Sequence, residues 1–330
     1  MLARFTASAA EVRTTSTGAA IATIRPPKPY ATWIGVTGAA DDRTFVLAAQ
    51  ERHVALSKQR VLWLADHDPG QLARDESPAA RFFVLHIDPA SRTASGLAQL
   101  VELPISYVPD GLEVSAMALS PDGTSLAAII GDNVDIESRL YVFDLATGTQ
   151  RSWGSLAGGL HPSCDCPGSI GPGFGGVNVG TLSWTADGRT ISLIWGGNGA
   201  GVWLLDTADP RTNLLKDSRL AVATPEGPGP YWRTAIVTPD GRTIVAVRQL
   251  RDPQPTGSQE LVTFSAATGK VALIIDHVTD ARPDQQVLWA SSSGSELVIT
   301  GYRLGASAGV LRGRQYTPIP WSAGILTAAW

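Results

Sequence analysis

Short apolar runs alternate with polar, glycine-bearing turns along most of the chain. The clearest copies read SAMALSPDGTSLAAIIG, GTLSWTADGRTISLIWG and RTAIVTPDGRTIVAVRQ, with a fainter QVLWASSSGSELVITGY and an earlier TWIGVTGAADDRTFVLAAQ. Each copy predicts a strand, a tight turn and a second strand. The turns centre on Gly123, Gly188, Gly241 and Gly294, and Asp122, Asp187 and Asp240 precede the first three. Asp-Gly suits a hairpin because the aspartate bonds to nearby backbone and glycine tolerates positive φ.

A second kind of turn follows each copy, in RLYVFDLATGTQRSW, GVWLLDTADPRTNLL, ELVTFSAATGKVALI and RFFVLHIDPASRTASG. The repeat is therefore four strands: inner, central, central, outer. The N-terminal LARFT and the orphan AEVRTTSTGAAIATI match the later part of such a unit, and the C-terminal ILTAAW matches its beginning. Joining the two ends makes one further unit, with two strands from each terminus. The expectation is an all-β fold: a six-bladed β-propeller of four-stranded antiparallel blades, closed by strands from both termini, forming a single domain over residues 1–330. Radial repetition of this kind leaves only short, protected edges. Trp184, Trp289 and Trp330 take matching positions in this scheme, with Leu119 and Val237 equivalent, and read as core between blades.

Composition agrees with many short strands. Of 330 residues, 44% are hydrophobic and 17% charged, and there are 34 glycines and 22 prolines. The net charge is −4, with no basic cluster interleaved with aromatics, so the chain lacks the electrostatic footprint of a nucleic-acid binder. No apolar run reaches the ~18 residues of a membrane span. The N-terminus is too interrupted for a signal-peptide core. As written, the chain is expected to be cytoplasmic, or extracytoplasmic if an upstream leader or membrane segment precedes it. Two cysteines cannot staple a chain of this size.

The SPDG…L…D…TG pattern resembles WD40-like and TolB-type propeller repeats. Low lysine and high alanine add a similarity to uncharacterised WD40-like proteins of high-GC actinobacteria. The resemblance implies the architecture and says little about activity. The Gly-His and Trp-Asp dipeptides of the strict WD40 repeat are absent.

Two stretches break the spacing. Residues 51–81 hold His53, Trp63, Asp66, His67 and Asp68, either in a solvated polar loop that partly extends the third and fourth strands or as metal ligands. Residues 157–178 hold His161, Cys164 and Cys166 in a Gly/Pro-rich setting. That segment reads as a surface loop with or without a local disulfide, as a contact loop, or as a soft-ligand metal site that lacks a fourth ligand. These eight residues are the candidate binding-loop positions. Asp132, Asn133, Asp135 and Glu137 lack the spacing of a helix-flanked calcium loop. No phosphate-binding glycine loop, cofactor motif or G-x-S-x-G elbow is found. The reading is a non-catalytic binding or scaffold module, for an unidentified protein or peptide partner, with no cofactor. Two alternatives stand beside it. One is a metal-dependent hydrolase or lactonase fed by residues such as Asp110, Glu113, Asn178 and Glu226. The other is an envelope-associated sensor module.

Overall fold

The structure is a computed structural model. It describes residues 2–6, 8–14, 19–41, 43–51, 57–68, 71, 79–88, 90, 98–105, 108, 112–132, 138–154, 181–195, 201–208, 213–224, 231–250, 258–278, 285–301 and 308–319.

The chain opens with β1 (Leu2–Thr6), β2 (Ala9–Arg13) and β3 (Ala20–Ile24), which pair antiparallel in that order as a three-stranded sheet. Five four-stranded sheets follow. Blade 1 contains β4 (Thr32–Gly38), β5 (Thr44–Gln50), β6 (Ala80–Ile87) and β7 (Ala98–Glu102), with helix α1 (Lys58–His67) between β5 and β6. Blade 2 is β8 (Leu112–Leu119), β9 (Ser125–Asp132), β10 (Ser138–Asp144) and β11 (Gln150–Gly154). Blade 3 is β12 (Ser183–Trp184), β13 (Thr190–Trp195), β14 (Gly201–Asp206) and β15 (Ser218–Ala223), with the short α2 (Leu214–Asp217) before β15. Blade 4 is β16 (Tyr231–Val237), β17 (Thr243–Gln249), β18 (Gln259–Ser265) and β19 (Val271–Val278). Blade 5 is β20 (Gln286–Ala290), β21 (Glu296–Thr300), β22 (Gly309–Arg312) and β23 (Gln315–Pro318). Every blade is an antiparallel meander in chain order, as the repeat predicts.

The expected six-bladed ring closed by both termini is corrected. Among the described residues there are five four-stranded blades, and the strands of the N-terminal sheet all come from residues 2–24. Its strands pack on blade 1, where the Trp33 indole donates to the Ile24 carbonyl at 3.0 Å. No strand pairing among the described residues joins this sheet to blade 5, so the ring is open there. ILTAAW and Trp330 lie outside the described residues. The physical reason for the error is that matching a local strand pattern carries no information about a pairing between the two ends of the chain.

The cores lie between successive sheets rather than inside any one of them. One cluster joins the N-terminal sheet to blade 1, and four more join blades 1–2, 2–3, 3–4 and 4–5. This explains the unbroken apolar runs in the central strands. In β5, the residues Phe45 to Ala49 are all fully buried, because both faces of the blade are covered. Outer strands carry the exposed apolar residues, such as Val101, Leu220 and Leu273.

The two turn signals have different causes. The turn glycines after the inner strands have φ near +70° (Gly123 +73°, Gly188 +64°, Gly241 +71°, Gly294 +72°). Gly148, in the turn between β10 and β11, has φ +71° and also packs so closely on blade 1 that a Cβ would collide with the Pro104 carbonyl oxygen. Gly269 meets the Ala221 carbonyl oxygen of blade 3 in the same way. The Thr-Gly of the sequence thus marks a blade-to-blade contact as well as a bend.

Candidate functional site

A four-stranded meander has two ends. The inner-to-central and central-to-outer turns sit at one, which we call the hairpin end. The other connections leave from the opposite end. At the hairpin end the five inner turns have one length, residues 39–43, 120–124, 185–189, 238–242 and 291–295. They share a bonding scheme. Ser120, Thr185 and Thr238 donate their hydroxyls to Oδ1 of Asp122, Asp187 and Asp240 at 2.6, 2.5 and 2.6 Å. The same hydroxyls accept from the backbone N–H of Ser125, Thr190 and Thr243. Oδ1 also accepts from the N–H of Thr124, Arg189 and Arg242. Blade 1 keeps only part of this, with Asp41 accepting from Arg43 and Thr44. Blade 5 replaces the aspartate with Ser293.

These bonds hold the turn carboxylates below their usual range. In Asp187 and Asp240 the largest cause is the hydroxyl bond from Thr185 or Thr238. In Asp122 and Asp41 burial pulls upward most strongly, and the combined hydroxyl and N–H bonds outweigh it. Asp144, in a central-to-outer turn, is lowered by the Thr147 N–H and hydroxyl.

The inner turns surround a cavity of about 470 Å³ on the propeller axis. All five blades line it with equivalent positions. Ala40, Pro121, Ala186, Pro239 and Ser292 form the rim. Gly38, Leu119, Trp184, Val237 and Ala290 lie two residues deeper, save that Thr37, Ala118, Ser183, Ile236 and Trp289 alternate with them one residue further in. Thr181, Leu182 and Leu288 complete the wall. Among the described residues that line it, none is ionisable. Blades 3 to 5 supply two indoles and most of the bulky aliphatics, while blades 1 and 2 supply mainly small residues, with Leu119 and Pro121.

Trp184 and Trp289 are therefore not equivalent, contrary to expectation. Trp184 pairs with Ile191, while its counterpart in blade 5 is Ala290, which pairs with Leu297. Trp289 stands one residue earlier, next to a register shift between Val287 and Trp289. One residue along a strand reverses the side-chain direction. Trp184 is buried between blades 2 and 3 and donates to the Ala118 carbonyl at 2.9 Å, whereas Trp289 is half-buried.

The wall hydroxyls are engaged in holding blades together. Thr37 accepts from the Leu119 N–H at 2.9 Å. Thr181 accepts from the Ala235 N–H at 2.9 Å and Ser183 from the Val237 N–H at 2.8 Å. Each satisfies the edge of a neighbouring inner strand, which would otherwise leave backbone groups without partners. At the rim, Ala40 N–H bonds the Pro121 carbonyl, Ala186 N–H the Pro239 carbonyl and Asp240 N–H the Ser292 carbonyl, at 3.0, 2.7 and 3.3 Å.

The described members of the set nominated from sequence do not line this cavity. His53, His161, Cys164 and Cys166 fall outside the described residues, as do Asp110, Asn133, Asp135, Glu137, Asn178 and Glu226. Glu113 is on β8, opposite Gly131, and its side chain is not described. Trp63, Asp66 and His67 lie on α1 and Asp68 caps it. A strand extension over this stretch is corrected to a helix. Ser57 accepts from the Arg60 N–H to start it, and Leu64 is fully buried to anchor it. Trp63 is 47% exposed, with its ring stacked on His67 at 4.9 Å and Arg60 above it at 4.7 Å. Asp66, His67 and Asp68 are exposed on successive positions of the helix end and do not converge. Among the described residues, no group of three or more His, Cys, Asp or Glu is placed to hold a metal ion. No helix among them is long and apolar enough to cross a membrane. The axial cavity was missed from sequence because its residues carry no chemical signature. Aligning the five turns position by position would have exposed the rim.

No protein-family model matches the chain, and no curated protein does. Solved structures do match. The β-propeller domain of Cps50 (Swd1) from Myceliophteria thermophila is 13% identical, with 92% of this chain and 77% of that one covered and a TM-score of 0.50. The propeller domain of the Trilobed protease from Pyrococcus furiosus, described as having an open velcro topology, is 12% identical over 88% and 72%, with a TM-score of 0.42. Puromycin hydrolase is 17% identical over 84% of this chain, which spans only 35% of that protein, with a TM-score of 0.43. At 13% identity the likeness to the Cps50 (Swd1) domain shows the β-propeller fold and nothing finer.

Proposed function

We propose that the chain is a non-catalytic binding module for a protein or peptide, and that the axial cavity at the hairpin end receives an apolar side chain of that partner. The observation that carries this reading is the cavity wall itself. Its size lies within the range of ordinary ligand sites. Yet its hydroxyls are engaged between blades, so it offers few of the polar handles that orient a small metabolite. A pocket of this type suits an apolar anchor whose remaining contacts fall on the surrounding surface. The rim is preorganised by the turn hydrogen bonds, which lowers the ordering cost of binding. Affiliation with the WD40-like and TolB-type repeat proteins is part of the same proposal.

The test is selection of a displayed random-peptide library on the immobilised chain. Enriched sequences should share an apolar anchor. Their binding should vanish when the exposed rim positions are blocked in an Ala40→Trp, Ser292→Trp variant that melts at the wild-type temperature. A failure to enrich any sequence, or enrichment that ignores the blocked rim, would overturn the reading.

A further inference from the structure

The mouth of the axial cavity is ringed by carboxylates. Asp41, Asp122, Asp187 and Asp240 each directly follow a rim residue, and all four are exposed. In the last three, the turn hydroxyl and the N–H two residues on both bond to Oδ1, so Oδ2 takes no part in holding the turn. Asp122, Asp187 and Asp240 are thus fixed in place, and Asp41 is held through both oxygens, with Oδ2 accepting from the Thr44 hydroxyl at 2.6 Å. Arg43, Arg189 and Arg242 close three of these turns two residues after the aspartates, and Arg189 and Arg242 help to lower Asp187 and Asp240. Arg189 is already paired with Asp206 at 2.6 Å on the same blade. The arrangement is an apolar well with an acidic collar.

Resting on the reading of the cavity as a binding site, we propose that its partner is a polypeptide segment in which an uncharged apolar side chain is flanked by lysine or arginine. The apolar group fills the cavity, and the flanking cations meet the collar. Opposite charge at a rim acts chiefly on association rate and on selection among partners, and salt screens it. The turn hydrogen bonds keep the collar ionised across the physiological range, because each favours the charged carboxylate.

The experiment uses short fluorescein-labelled peptides with a central tryptophan flanked by lysines, by serines or by glutamates. Anisotropy titrations at low and high salt compare the wild-type chain with an Asp122→Asn, Asp187→Asn, Asp240→Asn variant. Asparagine keeps the Oδ1 acceptor and removes the charge, and a thermal melt checks that the turns survive. The expected order is lysine, serine, glutamate, with about a tenfold advantage for lysine over serine at low salt. That advantage should disappear at high salt and in the triple variant, while serine-flanked binding stays. Equal binding of all three peptides, abolished by blocking the rim, would overturn the basic-flank inference and leave the cavity reading standing. Lysine-flanked binding that survives a blocked rim would also overturn it, as charge attraction without an anchor. Binding of none of the peptides would overturn both.

Discussion

The two ends of the same blades follow different rules. At the hairpin end, five inner turns have one length, three of them repeat one set of bonds, and the resulting rim encloses the cavity. At the other end, the connections run from five residues between β9 and β10 to 29 between β5 and β6, where α1 is inserted. The irregular end holds α1, with the exposed Trp63 and His67 that draw attention in the sequence. The regular end holds the cavity proposed as the site, lined largely by alanine, proline, valine, leucine and tryptophan. Unusual residues are a poor guide when a site is assembled by symmetry, because each blade then contributes something unremarkable.

The contrast is open to direct attack. The largest effect should come from Gly148→Ala. The new Cβ meets a backbone oxygen of the neighbouring blade and the residue keeps a positive φ. A loss of about 3 kcal/mol or more is expected in denaturant unfolding. A loss below 1 kcal/mol would mean the hairpin end is less tightly fitted than described. Next comes Thr238→Val, which removes the bond to Asp240 and the acceptor for the Thr243 N–H at a fully buried position. It should cost about 1–3 kcal/mol, read in the same assay. Third is pH. Carboxylates whose folded pKa is lowered contribute stability above their unfolded value of about 4, and that contribution is lost as pH falls through the folded value. Unfolding free energy should therefore hold from pH 7 to about 5 and fall below pH 4. The Thr238→Val variant should show a shallower fall; an unchanged slope would show that Asp240 contributes nothing to it. The smallest effect should be Trp63→Ala at the opposite end, within about 0.5 kcal/mol, since the indole is half exposed and its neighbours Arg60 and His67 lie on the same helix. A larger loss would make α1 part of the fold's support.

Much of the fold was legible because its signals are local. The Asp-Gly and Thr-Gly turns report a backbone shape and a close contact within a few residues of themselves. The four-strand unit follows from their alternation. What failed was non-local or displaced by one residue. ILTAAW looks like an inner strand, but pairing between chain ends is not written in either end. Trp289 looks like Trp184 until the register shift before it is counted. The segment around α1 carries a helix cap at Ser57 and apolar positions at Val61 and Leu64, spaced for a helix. Reading it within a β repeat hid that spacing. The cavity was invisible for a different reason, since nothing in a single blade encodes it.

The links between adjacent turns have one more consequence. Backbone bonds fasten the rim of blade 1 to blade 2, of blade 3 to blade 4 and of blade 4 to blade 5. No such bond joins the inner turns of blades 2 and 3 among the described residues. At that level the Trp184 indole, lodged against the Ala118 carbonyl, makes the link, while further out Arg151 bonds the Thr207 carbonyl and Gly154 bridges Asn213. The described rim is thus tied in a group of two blades and a group of three, with the Trp184 side chain serving as the bolt between them at that level. Under mechanical load the seam should part at that bolt first, and the cavity would open along it.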